Sequence, residues 1–387
     1  MQYLFFDIEC CDGEHICEFG YVITDTNFNI LKKEIILINP EAEFNLIGRK
    51  NQKDLYLYFS EEEYYNSEIF PVYHSFIKEL IETPNQIVVG HAIINDADFL
   101  RTACKRYNLN SINFNFADSQ KMYSELLAIN RRESLENAGK MFHIEEPEFI
   151  HRSDEDSETT MKLVHNMCTK MECSLVELIE MCDTCTGKSI DFDNYYDFQK
   201  RSKRDPYELL KNENDNRMVH GKYRAFLRYT NRIKPINIIN DEYLSGKIVS
   251  ISINYECNHF REMLCIAQLL VNHNAKYGPR ASDSDIFVSY DLLDENGNKI
   301  CCSRMKYVND AIKEGKNIDI ISIDELLKML NINEEELLSF PFPKRELFFD
   351  QKKKKHRVVR NNYRRDRSNY YTIGEVCKDF FNEQDEE

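Results

Sequence analysis

MQYLFFDIEC, residues 1–10, is an apolar and aromatic run of strand length that ends in two acidic residues. Residues i and i+2 of a strand point to the same face of a sheet, so Asp7 and Glu9 can address one cation together. Carboxylate oxygens of this kind suit Mg²⁺ or Mn²⁺. The apolar runs ICEFGYVITD (16–25) and ILKKEIILIN (30–39) are separated by polar residues and predict a meander, with Glu9 inside the sheet that carries the site.

A strand, a turn and a helix are predicted by QIVVGHAIINDADFLRTACKRYNL, residues 86–109. A short β-rich run leads into a Gly-His turn and then into apolar residues at helical spacing. Asp96 lies at the start of this helix. By itself it does not indicate a metal site, and it becomes a candidate ligand only together with the other acids. The alternative is that Asn95 or Asp96 merely caps the helix, since Asn and Asp are preferred N-cap residues.

A further helix start is predicted in PEFIHRSDEDSETTMKLVHNM, residues 147–167. His151 lies on the approach to the helix and Asp156 lies in its first turn. Ser153 and Asp156 also fit a capping box, and acids at this end favour the helix dipole, so a structural interpretation exists. That alternative explains Asp156 well, but it explains His151 poorly because a histidine outside the helix has no capping role. A lone histidine is nevertheless more often a surface or packing residue.

These stretches together resemble the DnaQ-like, or DEDDh, 3′–5′ exonuclease family over residues 1–185. The three family signatures appear in order: D-I-E at Asp7 to Glu9, G-H followed by Asp96, and H-x₄-D at His151 and Asp156. The resemblance implies an α/β fold of the ribonuclease-H type, in which a mixed central sheet is flanked by helices.

The same resemblance implies a two-metal hydrolase of phosphodiester bonds. Asp7 would bridge two Mg²⁺ or Mn²⁺ ions. Glu9 and Asp156 would complete the shell of one ion, and Asp96 would hold the other. His151 would be the general base. The expected substrate is the 3′ end of DNA, favoured as single-stranded; RNA stays open because the family degrades both, and a non-catalytic adaptor that only grips a nucleic-acid end is the alternative from another class.

The second half of the chain divides into regions of different pattern. Residues 186–240 are polar, Tyr-rich and of mixed charge, and predict a helical linker with a docking helix. Residues 241–331 alternate between strand and helix and resemble a BRCT domain, which implies a protein or phosphate-bearing partner. Ser252 at the end of the first strand and Lys306 at a helix start would form the phosphate pocket. The alternative is that Ser252 only ends a strand and Lys306 is a solvated surface charge.

Residues 332–387 are predicted to be a C-terminal tail that contains a basic segment, residues 352–367. This segment is interpreted either as a nucleic-acid arm or as a solvated, disordered linker. The net charge of −16 argues against wholesale wrapping of nucleic acid, so bound cations and local basic patches would carry the binding.

Composition indicates the compartment. The 387 residues contain no apolar stretch long enough to span a membrane and no signal-peptide pattern, so no membrane association is expected. Thirteen cysteines, an odd number, favour a reducing compartment: the cytoplasm, or the nucleus in a eukaryote. His165, Cys168, Cys182 and Cys185 could in principle hold zinc, although a cysteine in an amphipathic helix is usually a small core residue. Together the resemblances to the exonuclease family and to the BRCT domain imply an exonuclease acting in replication, repair or defence.

Overall fold

The structure is a computed structural model that describes residues 1–46, 57–127, 132–145, 151–182, 184–197, 205–293 and 299–349. Contacts divide the described residues into two units. The first unit is drawn from Met1–Lys170 and Ser174–Arg201, and the second from Met171–Cys173 and Ser202–Glu387. None of the described helices combines the length and the apolar character needed to cross a lipid bilayer.

A seven-stranded mixed sheet lies at the centre of the first unit. Its strands are β1 (Gln2–Cys10), β2 (Ile16–Thr24), β3 (Ile30–Leu37), β4 (Gln86–Gly90), β5 (Phe114–Asp118), β6 (Thr186–Ile190) and β7 (Asp193–Tyr196). They lie in the order β3-β2-β1-β4-β5-β6-β7. The predicted meander is confirmed, because β1, β2 and β3 pair antiparallel. β1, β4 and β5 run parallel, whereas β6 and β7 return antiparallel.

Helices pack around this sheet. The described helices of the first unit are α1 (Glu61–Tyr65), α2 (Phe70–Ile81), α3 (Ile94–Arg106), α4 (Ser119–Leu126), α5 (Leu135–Met141), α6 (Ser153–Met171) and α7 (Leu175–Met181). Successive residues of β1, from Tyr3 to Phe6, are at most 1% exposed. Since side chains alternate between the two faces of a strand, both faces of β1 are covered. The predicted mixed α/β architecture, a central sheet flanked by helices, is therefore present.

The predicted end of the first domain at residue 185 is wrong. Strands β6 and β7 pair with each other, and β6 pairs with β5, so residues 186–196 extend the sheet rather than begin a linker. Their sequences, TGKSI and DNYY, carry few apolar residues in alternation. Short strands at a sheet edge are specified by pairing with a neighbour more than by their own pattern.

A four-stranded parallel sheet lies at the centre of the second unit. Its strands are β8 (Ile248–Ile251), β9 (Lys276–Tyr277), β10 (Ile286–Ser289) and β13 (Asp319–Ser322), in the order β13-β10-β8-β9, and β11 (Leu292–Leu293) pairs separately with β12 (Lys299–Ile300). The described helices are α8 (Pro206–Leu210), α9 (His220–Arg232), α10 (Ile253–Asn258), α11 (Phe260–Asn272), α12 (Arg304–Lys313), α13 (Ile323–Met329), α14 (Glu334–Leu338) and α15 (Arg345–Phe348). The predicted alternation of strands and helices over residues 241–331 is present.

The core of the second unit extends beyond the predicted BRCT-like boundaries on both sides. Phe226 and Tyr229 of α9 are at most 1% exposed, although this helix was assigned to the linker. Tyr229 stacks on Phe348 of α15, with ring centroids 5.3 Å apart, although α15 was assigned to the tail. Both assignments are wrong for these helices, because their buried aromatic faces complete one core. The basic segment 352–367 lies outside the described residues.

In the first unit, β2 and α6 approach each other so closely at Gly20 that no side chain fits between them. An added Cβ would lie 2.1 Å from the backbone nitrogen of Asp154 and 2.2 Å from the carbonyl carbon of Ser153. The Ser157 hydroxyl also donates to the carbonyl oxygen of Gly20 over 3.0 Å. The first turn of α6 therefore lies directly on the backbone of β2, an approach that only glycine permits.

Replacement of Gly20 by alanine is expected to lower the free energy of unfolding of the first unit by about 3 kcal/mol, because backbone atoms must move to admit the new methyl group. Gly139→Ala in α5 is the matched control, since its added Cβ would meet only side-chain atoms at 3.9 Å. That change should stabilise by roughly 0.5–1 kcal/mol, the usual advantage of alanine over glycine in a helix. Urea unfolding followed by circular dichroism measures both, and a Gly20 variant as stable as the wild type would contradict the close approach.

Candidate active site

Three acids meet at the carboxyl ends of β1 and β4. Asp7 and Glu9 are two residues apart on β1 and share one face of the strand. β4 pairs in parallel with β1, and the chain then continues into α3. This path brings Asp96 close to the end of β1, where the backbone N–H of Ile8 donates to Asp96 Oδ1 over 3.1 Å. The parallel pairing thus gathers acids that are nearly ninety positions apart in the chain.

The capping interpretation of α3 is wrong. The N-cap residue is Ile93, and no side chain caps the helix. Asp96 lies inside the first turn, is 4% exposed and bonds to β1 instead. Its carboxylate therefore has a long-range role that the local sequence did not specify.

Helix α6 brings the remaining two predicted residues to the same edge. His151 Nδ1 lies 3.6 Å from Glu9 Oε1. Ligand atoms of Glu9, His151 and Asp156 all lie within 4.8 Å of one another. The charges of Glu9, Asp96 and Asp156 all act on Asp7, which places the five predicted residues in one cluster. We call this set the acid–imidazole cluster.

Asp156 differs from the other acids at the start of α6 in its ion-pair partners. Lys33 Nζ on β3 lies 2.6 Å from the carboxylates of both Glu155 and Glu158. Within the described ranges, no lysine or arginine forms an ion pair with Asp156 or with the two aspartates contributed by β1 and α3. The outward acids of α6 are thus paired with Lys33, whereas among the described residues the inward aspartates have no lysine or arginine partner.

Burial and mutual repulsion raise the pKa values of the aspartates. The pKa of Asp7 lies well above its ordinary value, first because of burial and then because of the charges of Asp96 and Glu9. Burial also raises the pKa of Asp96 well above its ordinary value, against the hydrogen bond from Ile8. Burial and the charge of Glu9 raise the pKa of Asp156 to about 7. Such a cluster lacks the positive charge that divalent cations would supply.

His151 is unusual in both its backbone and its charge. Its φ of 61° lies in the left-handed region, which costs a residue with a β-carbon about 1–3 kcal/mol and is uncommon outside glycine. The neighbouring Glu9 carboxylate raises the pKa of His151, while burial opposes this shift. The neutral imidazole, which can accept a proton, is therefore favoured once a cation balances the charge of Glu9.

Sequence reasoning missed Glu18, a buried acid on β2 beside the cluster. Glu18 is 0% exposed and lies directly opposite Glu9 in the antiparallel pair. Its carboxylate accepts hydrogen bonds from the Tyr64 hydroxyl and from the N–H and hydroxyl of Ser153, the last two over 3.1 and 3.0 Å. The available signal was an acid in the middle of the buried run ICEFGYVIT. Ser153 is the first residue inside α6, and the backbone N–H of Asp156 donates to the carbonyl oxygen of Arg152 over 3.0 Å, so the proposed capping box of Ser153 and Asp156 is wrong.

In the second unit, the predicted phosphate pocket is not formed at Ser252. This residue is 0% exposed, and its hydroxyl donates to the carbonyl oxygen of Tyr290 over 2.9 Å. Lys306 lies exposed in the first turn of α12. A buried hydroxyl that already donates to a carbonyl cannot contact a phosphate, so the interpretation of Ser252 as the residue that ends a strand is the correct one.

The alternative zinc site is absent among the described residues. Cys168, Cys182 and Cys185 are buried. His165 is exposed and stacks on Phe28, with ring centroids 4.7 Å apart. In the part of the chain that the structure describes, the group formed by β1 and α6 is the one set of three or more such ligands within 4.8 Å of one another.

Comparison with known proteins finds likeness at the level of solved structures. No protein-family model and no curated protein matches the sequence. A 3′-exonuclease in specific recognition of a histone mRNA stem-loop is 11% identical with a TM-score of 0.40, over 52% of this chain and 72% of that chain. The nuclease domain of 3′hExo, a DEDDh family member bound to rAMP, is 14% identical with a TM-score of 0.37, over 43% and 92%. E. coli exonuclease I with a dA16 oligonucleotide is 19% identical with a TM-score of 0.34, over 43% and 41%.

Proposed function

We propose that the first unit is a metal-dependent 3′–5′ exonuclease that hydrolyses phosphodiester bonds at the 3′ end of DNA. The observation that carries the proposal is the acid–imidazole cluster, in which aspartates from three elements converge without a lysine or arginine partner among the described residues. Buried carboxylates that repel one another are a costly arrangement unless they serve a cation. The 3′ polarity rests on the resemblance of the three sequence motifs to the DEDDh family.

Mg²⁺ or Mn²⁺ is the cofactor that these residues fit. The donors are carboxylate oxygens from Asp7, Glu9, Asp96 and Asp156, which are hard ligands. The raised pKa values of the three aspartates are what a carboxylate cluster without its cations is expected to show. When bound, two such ions lower the pKa of a water molecule and neutralise charge on the phosphoryl group and the leaving oxygen. The two-ion arrangement is taken from the family resemblance.

His151 is proposed to accept the proton of the attacking water. Its side chain is 41% exposed, so the ring can be reached by a substrate that enters from solvent. Its Nδ1 faces Glu9 at 3.6 Å, and this carboxylate would orient the ring toward the attacking water. The four carboxylates would chiefly hold the metal ions in place.

The second unit is proposed to recruit the nuclease to a protein or phosphate-bearing partner in replication, repair or defence. Support comes from the BRCT-like sequence pattern and from the parallel sheet with helical connections over residues 241–331. Because modules of this kind belong mostly to genome-maintenance proteins, DNA is favoured over RNA; this is an association rather than a mechanism. Ser252 has no place in the proposed partner site, since its hydroxyl is buried.

A time course on 5′-labelled oligonucleotides tests the enzymatic proposal. Single-stranded DNA and RNA of one sequence are incubated with the full chain in Mg²⁺, Mn²⁺ or EDTA. We expect a ladder of progressively shorter labelled products from DNA in either metal and none in EDTA. Faster shortening of RNA would reassign the substrate, and direct release of labelled mononucleotide would reverse the polarity. Binding without metal-dependent cleavage would instead support the adaptor alternative.

A further inference from the structure

We propose that Glu18 is a positioning residue that fixes the first turn of α6 and thereby sets the place of Asp156 in the metal site. The inference deepens the proposed function and rests on it for its biological meaning. The carboxylate itself is not proposed as a ligand. Its role is to keep Asp156 of α6 at a fixed distance from Glu9 of β1.

The register of β1 and β2 gives Glu18 its place. Glu18 lies directly opposite Glu9 in the antiparallel pair, so both side chains leave the same face of the sheet. Glu9 reaches the acid–imidazole cluster, whereas Glu18 is 0% exposed beneath the start of α6. One face of two paired strands thus supplies both a cluster residue and a support for the helix above it.

Three donors converge on the Glu18 carboxylate. Oε1 accepts from the Tyr64 hydroxyl of α1, and Oε2 accepts from both the N–H and the hydroxyl of Ser153. Ser153 is the first residue of α6, whose N–H has no partner within the helix and is therefore available to an acceptor outside it. An anionic acceptor at a helix N-terminus also interacts favourably with the helix dipole. With both oxygens engaged, Glu18 acts as an anchor for α6 and not as a further metal ligand.

A second anchor lies two residues along β2. The single hydrogen of the Ser157 hydroxyl is shared between the carbonyl oxygen of Gly20, 3.0 Å away, and the carbonyl oxygen of Ser153, 2.7 Å away. Glu18 and Gly20 thus hold the helix at residues 153 and 157, on either side of Asp156 in the chain. A helix held at both ends of one turn cannot rotate or slide at that turn. The position of Asp156 relative to β1 is therefore set by β2.

Two substitutions at Glu18 separate this positioning role from the effect of negative charge. Glu18→Gln removes the charge but keeps an acceptor and the side-chain shape, whereas Glu18→Ala removes the charge and all three hydrogen bonds. Loss of a residue that orients a metal ligand typically weakens metal binding about 10–100-fold. We expect Glu18→Ala to raise the Kd for Mn²⁺ by that amount and Glu18→Gln by less than about threefold. Mn²⁺ binding to the full chain is followed by electron paramagnetic resonance.

Glu125→Ala is the matched control, because it also removes a buried carboxylate but at a position outside the proposed anchor of α6. Glu125 lies on α4, is 7% exposed and accepts a hydrogen bond from the Thr184 hydroxyl. The Glu125→Ala variant should be less stable than the wild type, while its Kd for Mn²⁺ stays at the wild-type value. Tyr64→Phe and Ser153→Ala each remove one neutral donor and serve if Glu18→Ala does not fold. Each should raise the Kd roughly two- to tenfold, the worth of one hydrogen bond.

The outcomes distinguish this inference from the proposed function. Equal Kd values for Glu18→Gln and Glu18→Ala would show that only charge matters and would overturn the positioning role. Unchanged Mn²⁺ binding in Glu18→Ala, Tyr64→Phe and Ser153→Ala would overturn it as well. A wild type that binds Mn²⁺ but does not shorten DNA would contradict the nuclease proposal alone, because the metal-binding comparison does not require activity.

Discussion

Replacement of Asp7 by asparagine is expected to lower the rate of metal-dependent strand shortening by about 10³-fold or more. Bound metal ions are expected to stabilise the transition state by several kcal/mol. Each 1.4 kcal/mol or so corresponds to a factor of ten in rate. Asp7 lies among Asp96, Glu9 and Asp156, whose charges all act on it, so its loss affects the whole cluster. An amide oxygen keeps the shape of the side chain but not the charge that holds a cation.

The same substitution is expected to stabilise the metal-free protein at neutral and higher pH. The folded-state pKa of Asp7 is raised above the unfolded value, so its contribution to stability is present at low pH and is lost as pH rises through the folded pKa. Asparagine does not titrate and escapes this loss. Thermal unfolding in EDTA should therefore show a higher Tm for Asp7→Asn near neutral pH. The gap should shrink as pH approaches about 3.9, the ordinary value for aspartate.

Both readouts are needed to interpret Asp7. Lower activity together with higher metal-free stability would show that Asp7 serves function and lowers the stability of the folded protein. A variant that loses activity because it loses stability would assign Asp7 to the structure instead. Retained activity in Mg²⁺ would remove Asp7 from the metal site altogether. Adding Mn²⁺ should raise the Tm of the wild type more than that of the variant, since only the intact cluster binds the ion tightly.

Replacement of His151 by asparagine is expected to lower kcat by roughly 10²–10⁴-fold, the usual contribution of a general base. Asparagine adopts the left-handed backbone found at His151, where φ is 61°, so the fold should be kept. The Kd for Mn²⁺ should stay at the wild-type value, because the proposed ligands are carboxylates. A strong rise in that Kd would show that His151 binds the metal and would contradict the base assignment.

His143 provides the matched control for this substitution. It has the same left-handed conformation, with φ of 52°, and follows the end of α5 rather than joining the acid–imidazole cluster. His143→Asn should leave kcat unchanged while it removes an imidazole from the same kind of backbone site. A pH–rate profile adds a second test: the wild type should lose activity as pH falls and the imidazole becomes protonated, and His151→Asn should not show that step.

Local periodicity predicted the elements that carry the site. The apolar run in residues 1–10 identified β1, the two-residue period of a strand placed Asp7 and Glu9 on one face, and the change to helical spacing after Gly90 identified α3. The helix after His151 was predicted in the same way. These predictions succeeded because strand and helix periods, and the turns between them, are properties of a few consecutive residues.

Long-range pairing decided what those side chains do. Asp96 could equally have been an N-cap on local grounds, and only its hydrogen bond from Ile8 shows that it faces β1. Ser153 looked like one half of a capping box until Glu18, 135 positions away in the chain, proved to be its acceptor. Neither partner lies within the span over which a sequence pattern operates.

By itself, then, the sequence specified the central strands, the two helix starts and the chemical types of the five site residues, because these depend on neighbours in the chain. Tertiary structure decided that Glu155 and Glu158 share Lys33 while no described lysine or arginine pairs with Asp156, that β6 and β7 would join the sheet, and that Ser252 would be closed to a phosphate. Each of these outcomes depends on which distant backbone lies within a few ångströms, and the strand order and helix packing alone determine that.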